Sequence, residues 1–163
     1  MSLHINIDGF LRSIPCTFIG FLILNYIITL DIKWLKYVIF TFVFGSLMNK
    51  LLKHTFKSMN IGPRPSSGYL GCKLYPTTEK SKITWGMPSG HAQIVAVVVT
   101  FLIRDVVISR SNMISKYISI SLLTAIVFVN SWYRVHLKCH TVLQVVVGNV
   151  VGVLFAVLSC GFV

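Results

Sequence analysis

The sequence predicts an all-α fold, a polytopic membrane helix bundle of about five transmembrane helices with one long polar loop between the second and third. Two observations predict it. The 163 residues are 55% hydrophobic and 12% charged, with a mean hydropathy of +0.77, outside the usual range for a water-soluble domain. The apolar residues also gather in blocks near the roughly 20 residues a helix needs to cross a hydrocarbon core, without the period-2 alternation of membrane barrel strands.

Taken in order, Ile14 to Leu30 carries no charge, and Trp34 to Leu52 is apolar apart from Lys36 and Lys50, whose stems can snorkel from near its ends. The first 13 residues contain His4, Asp8 and Arg12, so the first block reads as an anchor rather than a cleaved signal. Lys53 to Met87 is polar, holds Pro63, Pro65 and Pro76, and reads as a loop at the membrane surface. A third span runs from His91 to about Ile108, with Arg104 and Asp105 near its end, and a fourth from about Met113 to Trp132. The fifth, Thr141 to Val163, is uncharged and contains Gly148 and Gly152, a small-xxx-small pair that permits close helix approach. One transmembrane domain over 1–163, with its motif-bearing core at about 34–163, is the economical division.

Cys16, Cys72, Cys139 and Cys160 lack metal-ligand spacing and read as free thiols; a Cys72–Cys139 disulfide is the alternative, since both fall on one side. The net charge of +11 comes from residues flanking the apolar blocks, with no long basic run, so anionic lipid head groups rather than nucleic acid are the expected partner.

If the five spans alternate direction, the loop after the second span and the segment Ser131 to His140 face the same side of the membrane. That brings together Lys57, Arg64 and Pro65, then Pro88-Ser89-Gly90-His91, then Arg134 and His140. In order and spacing these segments resemble the type 2 phosphatidic acid phosphatase superfamily, which also contains the vanadium haloperoxidases and whose signature is K-x6-R-P, P-S-G-H and S-R-x5-H-x3-D. Two positions depart from it: Tyr133 stands for the serine and Gln144 for the closing aspartate. Within the superfamily, Trp85-Gly86-Met87-Pro88-Ser89-Gly90-His91-Ala92-Gln93 and the His140-Thr141-x-x-Gln144 string are most similar to the dolichyl diphosphate phosphatase branch, where glutamine also replaces the aspartate.

The resemblance implies a metal-independent lipid phosphatase with no cofactor. A transferring phosphoryl group carries charge on its equatorial oxygens, so catalysis is largely positioning and electrostatic stabilisation. Lys57, Arg64 and Arg134 would bind phosphate, together with Ser89, placed as a helix N-cap, and the amides of Gly90 and His91. His140 is the expected nucleophile and His91 the general acid/base. Gln144, four residues on and sharing a helix face with His140, is expected to orient the imidazole without supplying negative charge.

His136 is also four residues from His140, and such a pair can ligate a metal, but no acidic third ligand lies near in the sequence. The leading function is hydrolysis of a polyprenyl, dolichyl-type diphosphate through a phosphohistidine. The alternatives are phosphatidic acid or another lipid phosphate as substrate, vanadate-dependent haloperoxidation, and a non-catalytic lipid-binding protein. Ten Lys and Arg fall on the motif side and five opposite, and without the three expected phosphate ligands the balance is seven to five, too even to set orientation. The dolichyl-branch resemblance implies an endoplasmic reticulum membrane with a lumenal active site.

Overall fold

In hydrocarbon a backbone N–H or C=O has no water to bond, so a long apolar run satisfies its polar groups by closing into a helix. The computed structural model, which describes residues 3–65 and 85–163 and side chains from residue 11 onward, has a helix at each apolar block. Helix α1 covers Leu3–Thr29. Next, α2 (Ile32–Ile39), a π-helical turn (Phe40–Gly45) and α3 (Ser46–Ser58) form one rod, followed by α4 (Gly90–Ile108), α5 (Met113–His136) and α6 (Val142–Ser159). Five stretches are long and apolar enough to cross a membrane: Leu11–Thr29, Ile32–Ser58, Gly90–Ile108, Met113–His136 and Val142–Ser159.

Two helices run past the C-terminal ends expected from hydropathy. The second rod continues past Leu52 to Ser58, so Lys53 and Lys57 are helical rather than in a loop, and the fourth continues past Trp132 to His136, which puts Arg134 on a helix. Hydropathy marks where apolar side chains stop, whereas a helix stops where its backbone turns away. Those turns come at Asn60 and Lys138, both in the left-handed region with φ of 57° and 55°. Residues 66–84, which make up most of the expected loop, lie outside the described residues.

Helix α4 is the central element: Ala92, Val95 to Val99 and Phe101 are buried, and its most extensive packing is along α6 and then α5. Two glycines allow this closeness. A Cβ at Gly148 would stand 2.6 Å from Ser89 O, and one at Gly152 would stand 2.5 Å from Gln93 O, so the expected small-xxx-small pair lies against the α4 backbone. Polar pins fix the second rod to the same helix. Gln93 Nε2 donates to Gly45 O at 3.0 Å, at the end of the π-helical turn, and Asn49 Nδ2 donates to Gln93 Oε1 at 2.7 Å. At the far end of α4, Asp105 accepts from Tyr37 Oη at 2.8 Å and pairs with Lys33 Nζ at 3.1 Å. Residues such as Ile28, Phe128 and Leu158 stand more than 70% exposed on the outside, as a lipid-facing surface requires.

Gly148→Ala and Gly152→Ala each force backbone apart in a packed interface, which costs on the order of 1–3 kcal/mol. Thermal unfolding in detergent is expected to show both variants destabilised, with Gly20→Ala, whose Cβ meets nothing within 4 Å, as the control. Equal melting of Gly152→Ala and Gly20→Ala would contradict the close α4–α6 contact.

Candidate active site

The first wall of the site is made by a chain reversal. After α3 the backbone passes through Asn60 and Gly62, both at positive φ (57° and 78°), conformations that asparagine tolerates and glycine adopts freely. The turned chain pairs Pro63 with Trp85, and Gly86 N–H donates to Gly62 O at 3.0 Å. Gly86 sits where a Cβ would meet Gln144 Oε1 at 2.6 Å and Arg64 Cγ at 2.8 Å, so Arg64 is brought to the base of α6.

The second wall is the start of α4. Ser89 occupies the N-cap position with extended backbone (φ −69°, ψ 113°), as expected, but its side chain makes no capping bond. Instead its backbone N–H donates to Gln144 O at 3.0 Å, and its hydroxyl is fully buried with no hydrogen-bond partner among the described residues. That hydroxyl is available to an incoming acceptor. The amides of Gly90 and His91 lie in the first helical turn, where no intrahelical carbonyl can reach them.

The third wall closes over Arg134. Lys138 turns the chain through its left-handed conformation, and the N–H groups of Cys139 and His140 both donate to Arg134 O, at 3.1 and 3.3 Å. Thr141 then caps α6 through a capping box with Gln144. The Gln144 amide is oriented by its nitrogen, which donates to Gly62 O and Pro63 O, both at 2.9 Å. Its Oε1 therefore faces the other way, accepting from Thr141 N–H at 3.2 Å and lying 3.1 Å from His140 Nδ1. An amide oxygen can only accept, so Nδ1 carries the proton and Nε2 keeps its lone pair.

His140 is 2% exposed. Burial, followed by the charges of Arg64 and Arg134, lowers its pKa from 6.5 to about 3; Gln144's hydrogen bond opposes this and Lys53 adds to it. The imidazole is thus neutral at physiological pH. Arg134 is buried at 1% exposure, and His91, half-buried, lies within electrostatic range of Arg134, Arg64 and Lys53. The structure therefore brings together His91, His140, Gln144, Arg64, Arg134, Ser89 and Gly90. Lys57 lies on the last turn of α3 and is exposed. Two further cations reach the cluster that the sequence reading missed: Lys53, one turn earlier, and Arg12, within electrostatic range of Arg134. Extending the second helix to Ser58 would have exposed the first; nothing local marks the second.

His136 is exposed and stacks on Trp132 at 4.9 Å, turned to the surface while His140 is buried. Among the described residues no group of three His, Cys, Asp or Glu side chains is placed to hold a metal ion. The free-thiol expectation is corrected at Cys139, which is disulfide-bonded, while Cys16 and Cys160 are free and Cys72 lies outside the described residues. Sequence spacing could exclude a metal pair but not a bridge between distant segments. Of the carboxylates, Asp31 caps α2 and Asp105 sits about 22 Å along α4 from its start.

A family model described as the PAP2 superfamily matches residues 34–163. The dolichyldiphosphatase of Saccharomyces cerevisiae is 33% identical over 113 residues, an alignment that takes in 68% of this chain and 46% of the yeast protein. The chain thus spans about half the length of that relative. No solved structure matches the chain.

Two predictions follow from the geometry around Gln144. In ¹³C-histidine NMR of the protein in detergent, the His140 signal, assigned by its loss in His140→Ala, is expected to stay neutral from pH 8 to pH 5; titration near 6.5 would refute the depressed value. The unfolded chain takes up that proton near 6.5, so His140's contribution to stability is full above that pH and declines as pH falls toward 3. Gln144→Glu keeps the length but turns a carboxylate oxygen toward two carbonyls, which is expected to cost on the order of 1–3 kcal/mol at pH 7. The deficit should shrink on acidification, as the carboxyl regains a proton to donate.

Proposed function

The chain belongs to the PAP2 superfamily, and on that premise we propose that it is an integral, multi-pass membrane lipid phosphatase that hydrolyses a polyprenyl diphosphate of the dolichyl type through a phosphohistidine at His140. The observation that carries the reading is the His140–Gln144 contact: it leaves a neutral imidazole with Nε2 unprotonated amid a group of buried or half-buried cations. Such a site suits an anion with an electrophilic centre. Arg64 and Arg134 hold the terminal phosphate oxygens, with the Ser89 hydroxyl and the Gly90 and His91 amides completing the cradle.

In this mechanism His140 Nε2 attacks the terminal phosphorus in line. The bond to the bridging oxygen breaks, and His91 supplies a proton to the departing polyprenyl monophosphate as needed. Water then attacks the phosphohistidine, His91 accepts a proton from it, and inorganic phosphate leaves with Nε2 restored. Throughout, Gln144 Oε1 holds the Nδ1 proton, so orientation is kept without a negative charge beside the ring.

Two features support a lipid-linked diphosphate. The yeast relative carries the name dolichyldiphosphatase. An apolar groove of about 350 Å³ between α5 and α6, lined by Val127, Phe128, Trp132, Val135, Val142 and Val146, offers a place for a hydrocarbon chain. The disulfide at Cys139 fits an active site on the oxidising, lumenal side of the endoplasmic reticulum membrane.

The test is phosphate release by the detergent-purified protein from polyprenyl diphosphate, polyprenyl monophosphate, phosphatidic acid and a water-soluble ester. Polyprenyl diphosphate is expected to rank first, with activity unchanged by EDTA and abolished in His140→Ala. A preference for phosphatidic acid would move the substrate assignment, and a fully active His140→Ala would remove the nucleophile.

A further inference from the structure

We propose that Asn49 and Gln93 are positioning residues of this site, a buried amide pair behind the turn Pro88-Ser89-Gly90 that fixes it so that its hydroxyl and amides face the phosphate. The proposal rests on the reading that the site takes a phosphate, and it gives neither residue a contact with the ligand.

The pair links three segments. Gln93 lies one turn into α4, where its backbone N–H donates to Ser89 O at 3.0 Å. Its Nε2 donates to Gly45 O at 3.0 Å, where the π-helical turn ends, and its Oε1 accepts from Asn49 Nδ2 at 2.7 Å. Asn49 Nδ2 also donates to Pro88 O, a longer bond at 3.5 Å. The same amide lies against Gly90: a Cβ there would stand 3.2 Å from Asn49 Oδ1, 3.6 Å from Cγ and 3.7 Å from Nδ2. One side chain thus holds the carbonyl that precedes Ser89 and covers the α-carbon that follows it. On the other side, Gln144 O accepts from Ser89 N–H at 3.0 Å, and a Cβ at Gly148 would meet Ser89 O at 2.6 Å. The turn is therefore gripped between α6 and the second rod, with the Ser89 hydroxyl at its centre.

Packing alone does not call for two amides here. Asn49 is 9% exposed and Gln93 1%, and burying a side-chain amide is costly unless its hydrogen bonds are made. Leucine and methionine match these side chains in length without that cost, but leucine at 49 could not bond Pro88 O and methionine at 93 could not carry the link from Gly45. What the amides add is direction. Gln93 Oε1 takes one hydrogen of Asn49 Nδ2, which sets the amide plane and aims the other at Pro88. The anchor of the chain is a π-helical turn, a widened element found often beside functional sites.

The experiment is titration of the protein in detergent with orthovanadate and with inorganic phosphate, comparing wild type, Asn49→Leu, Gln93→Met, the double variant and Tyr37→Phe. Each of the first two variants is expected to weaken anion binding by about 10- to 100-fold, the scale of a small misplacement of binding groups. The double variant should bind no more weakly than the poorer single one, because the two amides act as one unit. Tyr37→Phe removes a bond of 2.8 Å to Asp105 at the opposite end of α4, so it lowers the melting temperature but should keep wild-type affinity. Thermal unfolding checks that each variant is folded, with Asn49→Ser and Gln93→Leu as replacements for any that is not. Wild-type affinity in the folded Asn49 and Gln93 variants, additive losses in the double variant, an equal loss in Tyr37→Phe, or no binding of either anion by wild type would each overturn the proposal. If wild type releases phosphate from a lipid while the variants bind normally, the proposal falls and the phosphatase reading stands. If the binding pattern holds while wild type releases phosphate from no lipid, the lipid phosphatase reading fails and the positioning role stands.

Discussion

A primary amide can donate two hydrogen bonds from its nitrogen and accept two at its oxygen, and Gln144 uses all four. The nitrogen bonds Gly62 O and Pro63 O, and the oxygen bonds Thr141 N–H and the His140 ring. Its backbone carbonyl takes the N–H of Ser89 as well. One residue at the start of α6 therefore ties the turn before Arg64, the start of α4 and the segment that carries His140. With 1% of its surface exposed, each of these bonds forms away from competing water, so losing any one would strand a buried polar group.

This wiring gives a physical reason for glutamine where the superfamily signature has aspartate. A carboxylate has no hydrogen to offer, so it could hold His140 but not the carbonyls of Gly62 and Pro63. The amide gives up the charge that would stabilise a forming imidazolium and gains a grip on the loop that delivers Arg64. The bound phosphate can make up part of the difference. On the proposed function its negative charge would lie near Arg64 and Arg134, whose charges add to burial in depressing His140, and cancelling their field would return some basicity to the imidazole.

Much of the fold was legible because hydropathy reports directly on the bilayer: every apolar block became a helix, and alternation of five spans put the three motif segments on one side. The Gly148/Gly152 pair was legible for a similar reason, since only small residues admit a helix backbone at such distances. What escaped was set by contacts between segments distant in sequence. That Lys53 lies within electrostatic range of the two histidines could not be seen while the second helix was ended at Leu52. The Ser89 hydroxyl looked like a cap because capping is local, but the backbone of Gln144 holds that turn instead. Cys139 looked free because its spacing to the other cysteines carries no pattern.

The distribution of charge completes the picture. The described carboxylates on α2 and α4 are committed elsewhere: Asp31 accepts from Lys33 N–H at 2.9 Å to cap α2, and Asp105 joins Lys33 and Tyr37 at the opposite end of α4. At the motif end, Arg12, Lys53, Arg64 and Arg134 lie within electrostatic range of one another or of the histidines. Gathering like charges at a half-buried site is unfavourable in the free protein and favourable once a multiply charged anion arrives. The repulsion that adds to burial in keeping His140 neutral is the kind that a multiply charged anion would relieve. On the proposed function, affinity for phosphate and readiness of the nucleophile would come from one set of side chains, held in register by an uncharged amide.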